Sequence, residues 1–96
     1  MKHVIWSDLA ELDYEENIEY LLKELTVSDA VNFVDGVERC INLVKTHYEI
    51  FPDREGKGYR SAVIVPAITM YYTVEVDHIR LHRFWNNNNE PKLLRL

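Results

Sequence analysis

Apolar and polar residues alternate most regularly from Ile68 onward, where every second residue is apolar as far as Val76. A period of two is the pattern of a half-buried β-strand. Shorter runs of the same kind lie on both sides, so residues 59–85 predict three antiparallel strands. Two-residue turns at 66–67 and 77–78 join them into two hairpins and keep the apolar side chains on one face.

The predicted turns determine which residues of neighbouring strands face each other. The expected pairs are Val65 with Ile68, Val63 with Met70, Val76 with Ile79, Val74 with Leu81, and Glu75 with Arg80. Most of these pairs are apolar, and the last joins opposite charges, which favours it. A shift of one residue would turn the whole apolar set to the other face, so the alternation supports this register.

The other face of the predicted sheet carries polar and aromatic side chains, which makes it a candidate functional site. Two cross-strand rows are expected there: Arg60, Thr73 and His82 in one, and Ala62, Tyr71 and Phe84 in the next. The alternative interpretation is an ordinary solvated sheet face, on which arginine, threonine and tyrosine are common. Position alone favours this alternative, because a pattern of exposed residues does not by itself define a function.

The first half of the chain predicts a short strand followed by two amphipathic helices. Residues 2–6 are rich in apolar side chains and fit the strand. Residues 8–25 and 26–47 carry apolar side chains at every third or fourth position, which is the spacing of one buried helical stripe. Thr26 and Asp29 have the spacing of a capping box at the start of the second helix. The helices are nearly contiguous, so they are expected to form an antiparallel hairpin.

Together these elements predict a single α+β domain spanning residues 1–96, with the order β-α-α-β-β-β. A chain of 96 residues with 47% hydrophobic content is long enough for one core. The helical hairpin is expected to cover one face of a small, mainly antiparallel sheet and to leave Ile64, Tyr71 and Phe84 exposed on the other. The predicted core consists of Ile5, Tyr14, Ile18, Leu21, Phe33, Val37, Ile41, Met70, Tyr72, Val74, Ile79 and Leu81.

Charge divides the chain into an acidic half and a basic half. Residues 1–52 contain four basic and eleven acidic side chains, whereas residues 53–96 contain seven basic and five acidic ones. The predicted helical layer is therefore acidic and the sheet layer mildly basic, which suits an acidic partner on the sheet. A surface that binds phosphate backbones usually has a denser basic patch, so the charge argues only weakly for nucleic acid.

The motifs exclude several kinds of chemistry. The three glycines match neither a P-loop nor a dinucleotide-binding fingerprint. His78 and His82 lie about 13 Å apart on an extended chain, too far to share a metal ion, and Cys40 lies in a helical pattern without a nucleophile motif. The sequence therefore predicts no cofactor and no metal site. It also lacks an apolar segment of about 20 residues and a signal-peptide pattern, so a cytoplasmic location is expected.

A set of short motifs occurs in order along nearly the whole chain. These motifs are Trp6, Ser7 and Ala10 at the strand-to-helix junction, Ala30 and Phe33 in the second helix, Phe51 and Pro52 in the next loop, Arg60, Tyr72, Val74, Ile79 and Leu81 in the strands, and the ending Phe84–Pro91. Their order and spacing resemble the RelE/ParE superfamily of toxins from type II toxin–antitoxin systems. The resemblance implies the same α+β fold that the periodicity predicts.

The resemblance implies two activities of different kinds. RelE-like members are ribosome-dependent endoribonucleases that cut mRNA with basic side chains and a terminal aromatic residue, whereas ParE-like members lack that set and inhibit DNA gyrase by binding it. Arg60 matches the arginine of RelE-like members on the first strand of the meander. Asn88 stands where the ending usually has arginine, and no tyrosine follows Trp85, so two expected catalytic groups are missing. His82 and Arg83 are candidates to replace them.

The sequence therefore favours a ParE-like toxin that binds an essential bacterial target and is neutralised by a cognate antitoxin. The alternatives are a ribosome-dependent mRNA endoribonuclease and a weakened or inactive member that only binds its antitoxin. For a ribonuclease, the candidate catalytic residues are Arg60, His82 and Arg83. The candidate antitoxin- or target-binding residues are Ile64, Tyr71, Thr73, Phe84 and Trp85. The expected partners are the antitoxin and either DNA gyrase or the ribosome with mRNA, and no membrane.

Overall fold

The computed structural model describes residues 1–53 and 56–96. The elements, in chain order, are β1 (His3–Trp6), α1 (Asp8–Glu24), α2 (Val27–Thr46), β2 (Tyr59–Val65), β3 (Ile68–Val74), β4 (His78–Asn86) and a short 3₁₀ helix (Pro91–Leu93). The strands form one sheet in the order β1-β4-β3-β2, in which β1 runs parallel to β4 and the other neighbours are antiparallel. Helix α1 packs against β4, and α2 packs against β2 and β1. This arrangement confirms the predicted α+β class and the predicted order of elements.

Side-chain caps explain where both helices begin. The Ser7 hydroxyl oxygen accepts a hydrogen bond from the Ala10 amide, so Ser7 is the N-cap of α1. The predicted capping box of α2 is confirmed, because the Thr26 hydroxyl oxygen accepts from the Asp29 amide and the Asp29 carboxylate accepts from the Thr26 amide. Both helices begin and end within one residue of the predicted bounds.

One core of buried side chains lies between the helices and the sheet. Seven of the predicted core residues are buried in it: Leu21, Phe33, Val37, Met70, Tyr72, Ile79 and Leu81. Four more pack against it while partly exposed: Tyr14, Ile18, Ile41 and Val74. The prediction is wrong for Ile5, which is 38% exposed. The pleat of β1 turns Val4 and Trp6 toward the helices and therefore points Ile5 to the other face.

The first hairpin has the predicted turn but not the predicted register. The observed pairs are Val65 with Ile68, Val63 with Thr69, Ala62 with Met70, Arg60 with Tyr72 and Tyr59 with Thr73. The pairing shifts by one residue between Val63 and Val65, which places a β-bulge at Ile64. The predicted pair of Val63 with Met70 is therefore wrong, and the residues of β2 before the bulge face the side opposite to the predicted one.

The bulge also brings β2 close to α2. A Cβ atom on Gly36 would lie 3.0 Å from the Ile64 Cγ2 atom and 3.3 Å from the Ile64 carbonyl oxygen, so the absence of a side chain permits this approach. Ala62, which the sequence analysis places on the open side of the sheet, is instead 2% exposed in the core.

The second hairpin has a longer turn than predicted. Strand β3 ends at Val74, which pairs with Ile79, and the Glu75 amide donates to the His78 carbonyl oxygen at 2.8 Å. Val76 lies within the turn and is 97% exposed. The turn therefore comprises residues 75–77. The predicted pairs of Val76 with Ile79, Val74 with Leu81 and Glu75 with Arg80 are therefore wrong.

A second bulge lies in β4 at His82. The observed pairs around it are Tyr72 with Leu81, Tyr71 with Arg83, and Met70 with Phe84. The side chains of β4 change faces at this extra residue, so Phe84 enters the core and is 1% exposed. The predicted row of Ala62, Tyr71 and Phe84 on the open side of the sheet is therefore wrong.

Side chains of helix α1 bind the part of the β4 edge that β1 does not cover. Strand β1 ends at Trp6, so among the described residues no strand lies beside the second half of β4 on that side. Two buried side chains of α1 bind its backbone instead. The Asp13 carboxylate accepts from the Phe84 amide at 3.1 Å, and the Asn17 side-chain amide donates to the Phe84 carbonyl oxygen at 2.9 Å. Buried backbone groups need such partners, which explains two polar residues within the buried stripe of α1.

Candidate functional site

The face of the sheet away from the helices is the candidate functional site, and we call it the open face. Its partly exposed side chains come from the three antiparallel strands: Tyr59 and Ser61 of β2, Tyr71 and Thr73 of β3, and Arg80 and His82 of β4. Alternation along each strand brings them to one side, and the two bulges decide which residues these are.

A chain of three hydrogen-bonding groups lies at the centre of the open face. The His82 Nε2 atom is 2.9 Å from the Thr73 hydroxyl oxygen, which is 3.1 Å from the Glu75 carboxylate. A hydroxyl has one hydrogen and an ionised carboxylate can only accept, so Thr73 donates to Glu75 and His82 donates to Thr73. The Nδ1 atom of neutral His82 therefore carries the lone pair. The Tyr59 ring packs edge-on against His82, with ring centroids 5.5 Å apart.

The surroundings of His82 favour its neutral form. Burial lowers the pKa of His82 below its usual value of about 6.5, and the nearby Arg80 guanidinium lowers this pKa further. The Glu75 carboxylate acts in the opposite direction but does not reverse the shift. A neutral imidazole at pH 7 can accept a proton, which is what a general base must do.

Because folding lowers the pKa of His82, this residue should make the stability depend on pH. The unfolded chain binds a proton at His82 more readily, so the free energy of unfolding should fall as the pH drops below about 6.5. His82→Gln should therefore lose less stability than the wild type between about pH 7 and about pH 5. Urea unfolding at each pH measures this, with His47→Gln at the exposed end of α2 as the control. An equal pH dependence in the wild type and His82→Gln would contradict it.

Arg60 does not join the His82 cluster. The bulge in β2 places it opposite a buried residue of β3, and its Nη1 atom donates to two carbonyl oxygens of the loop after α2 at 3.3 and 2.8 Å. The predicted row of Arg60, Thr73 and His82 is therefore wrong. Tyr59 takes the place of Arg60 beside Thr73.

Arg83 forms an ion pair with α1. Its Nε and Nη2 atoms donate to the two carboxylate oxygens of Asp13 at 2.6 and 3.0 Å, and its guanidinium lies 5.2 Å from the centroid of the Trp85 ring. The side chains of Arg83 and Asp13 are only 13% and 10% exposed. The hydrogen bond to Asp13, together with its charge, raises the pKa of Arg83. Arg83 therefore joins β4 to the helical layer.

The open face holds only some of the predicted binding residues. Tyr71 and Thr73 lie there and are partly exposed. Ile64 is partly buried beside α2, and Phe84 and Trp85 are 1% and 8% exposed. The expected exposure of Phe84 is wrong, because the bulge in β4 turns this side chain inward. The binding roles of all five residues stay predictions.

A groove of about 520 Å³ crosses the open face beside the C-terminal segment. Its walls include Tyr59, Ser61, Tyr71, Pro91, Leu94 and Leu96. The Arg83 Nη1 atom donates to the Arg95 carbonyl oxygen at 3.4 Å, so the arginine that binds α1 also contacts this segment. The groove extends the candidate site from the His82 cluster to residues 91–96.

Three members of the open face are not singled out by the sequence: Tyr59, Ser61 and Arg80. Strand alternation predicts their neighbours Arg60 and Ala62 in β2 instead, and only the bulge reverses that assignment. Arg80 is expected to pair with Glu75, whereas it lies opposite Thr73. No local signal marks these positions, because neither bulge contains a glycine.

Residues 1–53 and 56–96 contain no group of three or more histidine, cysteine, aspartate or glutamate side chains that is placed to hold a metal ion. Nor does any helix within them combine the length and the apolar character that crossing a membrane requires. Burial raises the pKa of the Cys40 thiol to about 11, so Cys40 is not a candidate nucleophile.

Comparison with solved structures identifies the fold. A chain of the chromosomal ParDE toxin–antitoxin system from P. aeruginosa matches with a TM-score of 0.73 and 13% identity, covering 90% of this chain and 96% of that one. YoeB from Staphylococcus aureus matches with a TM-score of 0.63 and 17% identity, covering 86% and 93%. A chain of the E. coli DinJ–YafQ complex gives 0.62 and 14%, covering 91% and 93%. No protein-family model matches the sequence, and a search of curated proteins finds no significant match.

Two of these three similar structures belong to toxin–antitoxin systems, and the third is a YoeB dimer. The chain therefore shares the fold of these proteins, and this is the α+β fold that the resemblance of the sequence motifs implies. Identities of 13 to 17% establish the fold alone. The activity has to be argued from the residues of the open face.

Proposed function

We propose that this chain is the toxin of a type II toxin–antitoxin system and that it acts, like ParE toxins, by binding DNA gyrase. The fold supports the toxin role, because two of the similar structures come from a ParDE system and from a DinJ–YafQ toxin–antitoxin complex. A cognate antitoxin is then its second partner. The choice between binding and cleavage depends on the open face.

One observation carries the choice of a binding toxin: both candidate arginines are engaged inside the protein. Arg60 donates to loop carbonyl oxygens on the helical side, and Arg83 is paired with Asp13. A ribonuclease needs fixed cations beside the scissile phosphate to stabilise the charge that develops there. Breaking the buried pair of Arg83 and Asp13 to supply one would be costly. These contacts indicate that Arg60 and Arg83 have structural roles, which favours a binding toxin.

The open face is the surface on which we expect the antitoxin to bind. Tyr59 and Tyr71 are partly exposed aromatic residues that line the groove beside the C-terminal segment. Such rings are typical anchors of protein interfaces. Residues 53–96 carry a small excess of basic side chains, so an acidic antitoxin segment fits this surface. The predicted contact of Thr73 belongs to the same proposal.

A ribosome-dependent endoribonuclease is the second candidate, and the His82 cluster favours it. His82 has a lowered pKa, and Arg80 is close enough to contribute to that shift. A neutral histidine can move a proton and a neighbouring arginine can stabilise charge on a phosphate. In this candidate function, His82 is the general base and Arg80 replaces Arg60 as the group that stabilises charge.

The two candidates predict opposite results for His82→Ala. In a gyrase-binding toxin, the substitution should leave growth arrest nearly unchanged, because a contact outside a binding hot spot contributes less than about 1 kcal/mol. In a ribonuclease, loss of the general base should lower the activity by about 10²- to 10⁴-fold and relieve the arrest. We expect the first result, measured as viable counts after induced expression in a bacterial host.

Two controls accompany this experiment. His47→Ala removes an exposed histidine from the end of α2 and should behave as the wild type, and co-expression of the neighbouring gene should relieve the arrest if it encodes the antitoxin. Relief of the arrest by a folded His82→Ala protein would contradict the gyrase-binding proposal. A wild type that leaves growth unchanged would contradict the toxin role and favour a member that only binds its antitoxin.

A further inference from the structure

Two histidines that are distant in the sequence lie side by side where β1 and β4 begin. In the parallel pairing of these strands, His3 lies opposite His78, and paired residues point to the same face of the sheet. Their rings are stacked at an angle of 27° with centroids 6.0 Å apart. His3 is exposed and the His78 side chain is 21% exposed, so solvent reaches both rings.

Asp77 determines which ring nitrogen of His78 is free to bind a ligand. The His78 Nδ1 atom is 2.7 Å from the Asp77 carboxylate. An ionised carboxylate can only accept, so Nδ1 carries the hydrogen and Nε2 of the neutral ring carries the lone pair. Metal-binding histidines are commonly held in this way, by a carboxylate that fixes the tautomer and the orientation of the ring.

The two imidazoles are close enough to share one ion. Bonds from zinc to an imidazole nitrogen are about 2.0–2.1 Å long, so two nitrogens that share an ion lie roughly 4 Å apart or less. The centroids are 6.0 Å apart and the rings are nearly parallel, so the exposed His3 side chain has to rotate before its lone pair and that of His78 Nε2 converge on one ion. Lys2 points to the opposite face of β1, and the Val76 carbonyl oxygen accepts from its ammonium group at 2.6 Å. The Lys2 ammonium group therefore has a hydrogen-bond partner of its own.

We propose that His3 and His78 bind a late first-row divalent metal ion at this corner of the open face, with Asp77 orienting His78. Imidazole ligands suit copper, nickel and zinc, and Cu²⁺ is expected to bind most tightly. Water completes the coordination, since the described residues place no third histidine, cysteine or carboxylate ligand there. Only the folded chain brings the two histidines together, so the bound ion stabilises the pairing of β1 with β4.

Thermal unfolding with and without nickel chloride tests the site. We expect Ni²⁺ to raise the Tm of the wild type, and a calorimetric titration to give one ion per chain. His3→Asn and His78→Asn should each abolish the rise, whereas His47→Asn at the end of α2 should keep it. Asp77→Asn should weaken the affinity by about 10- to 100-fold, which is the usual effect of losing such a carboxylate partner.

Two results would overturn the proposal. One is an unchanged Tm of the wild type with Ni²⁺ in excess. The other is a rise that survives His78→Asn, because His3 and the backbone groups next to it would then bind the ion without His78. Circular dichroism without the ion shows whether each variant is folded. If one of the two histidine variants is unfolded, the Tm of the other variant with Ni²⁺ tests the site. The outcome is independent of the toxin role, which the growth experiment tests.

Discussion

Phe84→Ala should lower the free energy of unfolding by about 3–5 kcal/mol, as expected when a large aromatic side chain is removed from a packed core. Phe84 is 1% exposed, and its ring lies 5.1, 5.9 and 6.2 Å from the ring centroids of Trp6, Tyr14 and Phe33. Aromatic contacts at these distances add to the effect of the buried apolar area. Urea unfolding followed by circular dichroism measures the loss.

Val63→Ala is the control for this experiment, because it truncates another strand residue that is 69% exposed. Its effect should stay within about 0.5 kcal/mol. Without the bulge at His82, Phe84 would lie on the open face and its truncation would cost little more than that of Val63. A small effect of Phe84→Ala would therefore contradict the position of the bulge.

Asp13→Ala should lower the free energy of unfolding by about 3 kcal/mol or more, because it leaves a buried cation and a buried amide without their acceptor. The Asp13 carboxylate accepts two hydrogen bonds from Arg83 and one from the Phe84 amide. These bonds join α1 to the part of β4 that β1 does not reach. The Phe84 amide should also exchange its hydrogen faster in the variant.

Glu15→Ala on the exposed side of α1 is the matched control, and its effect on the free energy of unfolding should stay within about 0.5 kcal/mol. The loss for Asp13→Asn should lie between those of the other two variants, because Asn keeps an acceptor oxygen for the Phe84 amide but removes the charge that pairs with Arg83. Equal effects of Asp13→Ala and Glu15→Ala would contradict the role of Asp13 in holding α1 against β4.

The helices and the fold class could be predicted from the sequence because their signals are local. Thr26 and Asp29 are three residues apart and mark the start of α2, and the apolar stripes repeat within each helix. The alternation from Ile68 likewise lies within a single strand. Each of these signals involves residues that are near one another in the chain.

The register could not be predicted, because each bulge adds one residue without a mark in the sequence. The extra residues are Ile64 and His82, and neither is a glycine, which would have marked a bulge in the sequence. The alternation of β2 can therefore be assigned to either face. Each bulge exchanges the two faces for the strand residues on one side of it. The bulge in β2 moves Ala62 into the core and turns Arg60 toward the helices, and the bulge in β4 moves Phe84 into the core.

The polar contacts between α1 and β4 could not be predicted either, because their partners are far apart along the chain. Asp13 and Arg83 are 70 residues apart, Asp13 and Phe84 are 71 apart, and Asn17 and Phe84 are 67 apart. Asp13 and Asn17 nevertheless leave one trace, since these polar residues share the buried stripe of α1 with Ala10 and Leu21. A polar pair in that stripe indicates a buried partner without identifying it.

We propose that this protein inhibits DNA gyrase by binding it and does not cut mRNA, and a parallel assay in vitro tests this proposal most directly. Purified wild type and His82→Ala would be added to a gyrase supercoiling reaction and to a translation reaction that contains ribosomes. We predict that both proteins inhibit supercoiling to the same extent and that the mRNA stays intact. Codon-specific cuts that appear with the wild type and vanish with His82→Ala would contradict the claim.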